Sequence, residues 1–289
     1  MKRILFSLVL VAVAGLTACQ KEADVKPIIL QATPTGARLS APSHIIAGPQ
    51  KRLLSDGGIT LSYAPDGRLK TYTSGQFNAE LTYLSASAAD LYPGYKPAKG
   101  IRLQGIFEGK PTQWTLYYLL DAEGVCQRLV LTAPDGTHYF QYTYNAKGQL
   151  MAVSQPAIQL FWGLLYDEQD QLSRVRVFRK GKMDEETILS YKSANGSIQP
   201  NKLGHYADVS LLNFHYFRYL PIFGKSGNFL VQREKTTKVL TGETTSDFRL
   251  DYTLDPDGYI KTRATTNLLT NKTGQPMQHT YEVINSPVE

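Results

Sequence analysis

Cysteine is nearly missing from this chain: Cys19 and Cys126 are the only two among 289 residues. A disulfide framework of the kind that holds small secreted domains together is thereby excluded. Long apolar runs are scarce. The one at the N-terminus, Ile4 to Gly15, is shorter than the roughly 20 residues a spanning helix needs, and nothing after Cys19 approaches that length. Charge of one sign is also lacking. There are 31 Lys and Arg against 25 Asp and Glu, scattered along the chain. A nucleic-acid footprint would need a basic stripe, and none is present. Catalytic signatures are absent as well. No Gly-x-Ser-x-Gly elbow occurs. His44, His138, His205, His215 and His279 lie too far apart for zinc-ligand spacing. Gly224-Lys225-Ser226 ends like a phosphate-binding loop, but Tyr219 stands where that pattern needs its first glycine. No cofactor, metal site or catalytic residue is expected.

What the N-terminus does contain is informative. Lys2 and Arg3 precede the apolar run, and Leu16-Thr17-Ala18-Cys19 follows it. Small residues suit a narrow peptidase groove, and the next thiol can accept diacylglycerol. The arrangement resembles a bacterial lipoprotein lipobox, which implies a signal peptide over 1–18 and lipidation at Cys19. Acyl chains contribute about 0.8 kcal/mol per buried CH₂ and hold a protein on a membrane. Residues 19–49, rich in Ala, Pro, Ser, Thr and Gly without periodicity, read as a flexible tether. Residues 50–289 then form one domain. With Cys19 acylated, Cys126 has no disulfide partner and reads as a buried thiol acting as a small hydrophobe.

Turn chemistry dominates the rest. Pro-Asp-Gly recurs at Pro65-Asp66-Gly67, Pro134-Asp135-Gly136 and Pro256-Asp257-Gly258, with looser copies such as Asp121 to Gly124 and Asn145 to Gly148. Proline presets φ, Asp bonds the local backbone and Gly takes the left-handed position. Turns from Gly124 to Gly196 fall roughly every 12 residues, the spacing of short strands in a meander, sandwich or barrel. Leu172 to Phe178 and Phe248 to Leu254 alternate apolar and polar, as half-exposed antiparallel strands do. Trp114 to Leu120 is more continuously apolar and suits a central strand. Phe229 to Leu240 and Tyr259 to Leu269 predict longer strands. The fold class expected is all-β: a single large antiparallel meander, as a curved sheet or partly closed barrel. One short helix is expected near residues 207–220, ended by Pro221.

The repeated unit is Tyr, a short turn built on Asp or Asn and Gly, one further residue, then Leu or Ile. It occurs at Tyr63 to Leu69, Tyr144 to Leu150, Tyr166 to Leu172 and Tyr252 to Ile260, with Asp170 replacing glycine in the third copy. It resembles the tyrosine–aspartate hairpin repeat of bacterial surface proteins. With Cys19 ahead of it, the chain resembles a Bacteroidota lipoprotein of the domain-of-unknown-function family with a porin-like fold. The resemblance implies a fold and an outer-membrane location, on the periplasmic face or the cell surface, and carries over no activity. Glu22 and Asp24 resemble export signals that favour the surface. Arg174 and Arg176 on one strand face argue against an integral porin, which needs an apolar outward band.

The expectation is a lipid-anchored envelope protein with a non-catalytic binding or accessory role. Its ligand would be a glycan, a hydrophobic molecule or an envelope protein, and its membrane contact the N-terminal lipid. The alternative is a polysaccharide-processing hydrolase with carboxylates from separate strands, which would need two of them about 5–9 Å apart. Asp184, Glu185 and Glu186 read as a solvated strand start. The tyrosines read as cross-strand packing pairs, and Trp114 and Trp162 as core or rim. A repeat shell enclosing a cargo is a third reading, for which about 240 residues are few.

Overall fold

A computed structural model describes residues 50–85, 91–107, 109–193, 195–203, 217–225 and 227–284. They form one antiparallel sheet of seventeen strands. In chain order these are β1 (Lys51–Asp56), β2 (Ile59–Tyr63), β3 (Leu69–Ser74), β4 (Phe77–Ser85), β5 (Lys99–Phe107) and β6 (Lys110–Leu120). There follow β7 (Cys126–Ala133), β8 (Gly136–Tyr144), β9 (Leu150–Gln155), β10 (Leu160–Tyr166), β11 (Leu172–Arg179) and β12 (Lys182–Ser190). The last are β13 (Arg233–Lys238), β14 (Thr244–Leu254), β15 (Ile260–Asn267), the two-residue β16 (Lys272–Thr273) and β17 (Met277–Val283).

Up to β16 each strand pairs with the next in sequence, and β17 pairs with both β15 and β1. The sheet therefore closes into a barrel of sixteen staves, with β16 a short extra ladder on β15. The partly closed or merely curved sheet expected from sequence is corrected on this point. The β1–β17 register runs from Lys51↔Val283 to Asp56↔His279 and seals the ring. The expected helix is not seen where it can be assessed. Residues 207–216 lie outside the described residues, and Phe217 to Leu220 is a turn, with Leu220 N–H donating to Phe217 O at 2.9 Å. A single 3₁₀ turn at Pro156–Ile158 joins β9 to β10.

Alternation decides which side is apolar. Leu61, Ala79, Leu81, Leu103, Leu116, Leu129, Phe140, Val153, Leu164 and Val175 all belong to one buried cluster inside the barrel. The outward positions of the same strands include Glu80 opposite Thr71, Arg102 opposite Thr82, and Arg176 opposite Glu186. Such a wall is apolar within and charged without. The interior is filled partly by side chains and partly by the connection between β12 and β13. Its residues Leu220, Ile222 and Phe223 are buried in the same cluster, and Phe223 packs on Tyr118 and Tyr142 at centroid distances of 5.8 and 5.5 Å.

One end of the barrel, called here the entry mouth, is where the described chain begins and ends: Ile284 N–H donates to Gln50 O. The Asp- and Asn-led turns gather at this mouth. Asp167 Oδ1 accepts from the amides of Gln169 and Gln171, and Asp255 Oδ1 from those of Asp257 and Tyr259. Asp170 takes the glycine position itself, with φ 61°, a conformation Asp tolerates better than most residues. The Pro134-Asp135 turn lies at the opposite end, where it links β7 to β8.

At the entry mouth the two strands of a hairpin separate before their ends, leaving carbonyls without a ladder partner. Tyrosine supplies the missing donor. Tyr63 Oη–H donates to Leu53 O, Tyr83 to Leu69 O, Tyr144 to Cys126 O and Tyr166 to Leu150 O. Tyr191 reaches Leu172 O, Tyr252 reaches Val231 O and Tyr281 reaches Ile260 O. All seven bonds are 2.6–3.1 Å long. The Leu or Ile that ends each repeat thus gives its carbonyl to a later tyrosine: Leu69 to Tyr83, Leu150 to Tyr166, Leu172 to Tyr191 and Ile260 to Tyr281. The β5–β6 hairpin has no such clasp among the bonds described, and its ladder instead continues to Lys99↔Leu120. Burial pushes the Tyr63 hydroxyl up to about 12, so it stays a donor at neutral pH.

A carbonyl stripped of its donor in this setting costs about 1–2 kcal/mol. Tyr166→Phe should therefore lower unfolding free energy by about that amount, measured by urea denaturation. Phe161→Tyr on the outer face should change it little.

Candidate functional site

A hollow opens at the entry mouth, between the ends of β1–β6 and the inner turn at Tyr219–Ile222. It has a volume of about 780 Å³. That is within the range of small-molecule sites, roughly 300–1,000 Å³. Its walls are Leu53, Leu61, Leu69, Ile101, Leu220 and Ile222, with the rings of Tyr63, Tyr83 and Tyr219. The geometry follows from the splay of the hairpins. β1 and β2 pair only at Ser55↔Thr60 and Asp56↔Ile59, so Leu53 and Leu61 diverge toward the mouth.

The collar of this hollow is cationic: Lys51, Arg52, Arg68, Lys99 and Lys202 line it, and among the described residues no Asp, Glu or His does. Two guanidinium groups lie on clasp tyrosines, Arg52 Cζ at 4.2 Å from the Tyr63 centroid and Arg68 Cζ at 4.4 Å from that of Tyr83. Such stacking suits Arg, whose planar cation is weakly hydrated. Glu282, 2.6 Å from Arg52, and Asp66, 2.5 Å from Arg68, lie outside the lining.

Deeper in the barrel a polar cluster fastens the inner turn. Asp56, almost fully buried, accepts from Arg218 and from Tyr219 Oη–H at 2.9 Å. His279 Nε2 lies 3.0 Å and Arg263 Nη2 3.5 Å from its other oxygen. Burial alone would raise the Asp56 pKa. The His279 hydrogen bond and the charges of Arg218 and Arg263 outweigh it and hold the carboxyl far below the usual carboxylate range. No signal in the sequence marked this group, because its members come from opposite ends of the chain.

The residues singled out from sequence fall as follows. Cys19, His44, His205 and His215 lie outside the described residues. Cys126 is buried, its Sγ 3.3 Å from Arg128 O, and burial pushes its thiol up, which fits an inert packing role. His138 sits 3.1 Å from Asp135. Gly224 holds a φ of 77° against the Gly148 carbonyl and the Tyr144 ring, and Lys225 N–H donates to Gly148 O. That stretch is therefore a docking corner between the inner connection and a mouth turn. Asp184, Glu185 and Glu186 are ion-paired with Arg179, Lys238 and Arg176. Trp114 stacks on Phe77, and Trp162 is in the core. Among the described residues no three His, Cys, Asp or Glu side chains converge as metal ligands.

No family model matches the chain, and no curated protein does. Solved structures do. A porin-like protein from Bacteroides vulgatus aligns with a TM-score of 0.50 at 10% identity, over 78% of this chain and 92% of that one. A porin-like protein from Bacteroides uniformis aligns with a TM-score of 0.49 at 14% identity, over 81% and 94%. The chain shares the porin-like fold. On β4, β5 and β11 the outward positions carry Glu80, Arg102 and Arg176, whereas a lipid-embedded barrel turns an apolar band outward. Among the described residues no helix is long and apolar enough to cross a membrane.

The Asp56 cluster sets a pH dependence. A carboxyl whose folded pKa is depressed contributes stability above its unfolded pKa of about 3.9 and loses it as pH falls toward the folded value. Breaking a buried ion pair costs about 3–5 kcal/mol. Asp56→Asn should therefore be less stable by several kcal/mol at neutral pH. It should also lose less further stability between pH 4 and pH 2 than the parent chain, followed by denaturant melts at each pH.

Proposed function

We propose that this is a lipid-anchored protein of the cell envelope that binds a small hydrophobic molecule, without catalysis, in the hollow at its entry mouth. The observation that carries this reading is the hollow itself: about 780 Å³, leucine- and isoleucine-walled, open at one end, and with no carboxylate in its lining among the described residues. A hydrolase of the two-carboxylate type would need a facing acid pair there. The carboxylates nearest the collar are instead engaged in ion pairs, Asp255 and Asp257 with Lys51 and Glu282 with Arg52.

The anchor rests on Leu16-Thr17-Ala18-Cys19 and gives the envelope location; the porin-like fold is consistent with it. The polar outer wall supports a barrel standing beside a membrane and held by its lipid.

Two experiments test the two halves of the proposal. For the hollow, the full chain is titrated with a fluorescent apolar reporter. Leu61→Trp, which fills the space from an inward position, should weaken binding at least tenfold while the melting temperature stays within a few degrees. Undiminished binding would refute the site. For the anchor, Cys19→Ala should move the protein from the membrane fraction to the soluble fraction after cell breakage. Retention in the membrane would refute lipidation.

A further inference from the structure

The collar carries information the apolar walls do not. Among the described residues, all five ionisable side chains around the hollow other than tyrosines are cations. The neighbouring acids Asp66, Asp255, Asp257 and Glu282 pair with three of them from outside the lining. Positive charge is thus turned inward and negative charge outward. An uncharged apolar occupant gives no reason for that separation.

Resting on the binding reading above, we infer that the occupant is an anionic amphiphile, an acyl chain ending in a carboxylate or phosphate. Its chain lies between Leu61, Leu69 and Ile101, and its head is met by Arg68 and Lys99. The five cations are not equivalent. Arg52 is committed, with Nε on Glu282 and Nη1 on Gly67 O. Lys51 is held between Asp255 and Asp257 at 2.7 and 2.5 Å. Arg68 spends Nε and Nη2 on Asp66 and keeps Nη1 outside that fork. Its guanidinium is fixed by the Tyr83 ring, itself fixed by the bond to Leu69 O. Lys99 contacts Ala122 O at 3.3 Å and has no acidic partner among the described residues. It begins β5, opposite Ser85 at the end of β4, two residues from Tyr83. An arginine pinned in place and, on the same collar, a lysine without an acid partner among the described residues are suited to a carboxylate or phosphate head.

The test uses the full-length chain carrying Cys19→Ala, loaded with a fluorescent fatty-acid reporter. Three competitors of equal chain length are titrated: hexadecanoate, lysophosphatidylglycerol and hexadecanol. At least one anionic competitor should displace the reporter at about tenfold lower concentration than hexadecanol, equivalent to about 1.4 kcal/mol. The double variant Arg68→Gln, Lys99→Gln should bring that advantage to within about twofold and leave hexadecanol unchanged, since only the charge-assisted contacts are lost. Lys99→Gln alone, at an exposed position, should give a partial loss and guards against a folding defect in the double variant. The better of the two anions distinguishes a free fatty acid from a lipid headgroup. Equal displacement by all three compounds would overturn the headgroup inference and leave the hollow as an apolar site. Failure of the reporter and all competitors to bind would overturn the binding reading itself.

Discussion

The bond from a mouth tyrosine to a carbonyl of the neighbouring strand is the constraint on which the remaining architecture depends. A sixteen-stave barrel with bulged turns cannot keep every hairpin laddered to its end, and each place where strands part leaves a buried acceptor unpaired. Seven tyrosines resolve this in one way. The aromatic ring fills the gap between the parted strands while its hydroxyl satisfies the carbonyl. The same parting makes the hollow. Leu53 and Leu61 can diverge because Tyr63 bridges the space between β1 and β2. The clasp tyrosines also carry the arginines of the collar, so one residue type links strand geometry, cavity and surface charge.

Much of the fold was legible in local chemistry. Leu172 to Phe178 alternates, and β11 occupies Leu172–Arg179 with Val175 and Val177 toward the core; a bulge opposite Leu165 and Tyr166 brings Leu172 to that side as well. The Asp and Asn of the mouth turns accept backbone amides as their side chains suggest. Strand ends were less legible. Phe229 to Leu240 reads as one strand, but β13 starts at Arg233, because Leu230 N–H instead donates to Gln199 O and Phe229 bridges Pro200. That partner is some thirty residues away, and periodicity cannot reveal it. Closure was illegible for the same reason: it depends on the register between the first and last strands. The tyrosines were read as packing residues, which is half their role; the hydroxyl's target appears only once the hairpins are seen to part. The site was less legible still, since the hollow draws on β1 to β6 and on the inner turn.

The inner connection changes what a porin-like barrel is here. Leu220, Ile222 and Phe223 occupy the lumen, and Asp56 ties Arg218 and Tyr219 to the wall. A buried ion pair is a weak source of net stability, and its best-attested use is to fix one arrangement among several. Apolar packing alone would let the turn slide along a leucine-lined wall. Asp56 specifies where it stops, and so sets the depth of the hollow above it. Gly224 has the complementary task at the rim, where any side chain would collide with the Gly148 carbonyl.

The seam between β1 and β17 has a bearing on how the molecule comes into being. Arg52 meets Glu282 across 230 positions of sequence, so the ring stays open until nearly the whole polypeptide has been delivered. Contacts so distant along the chain are slow to form, and an open sheet meanwhile offers two unsatisfied edges to any neighbour. A chain of this design is therefore most exposed to mispairing in the interval between the emergence of its first hairpin and the arrival of its last, and chaperone protection matters most then.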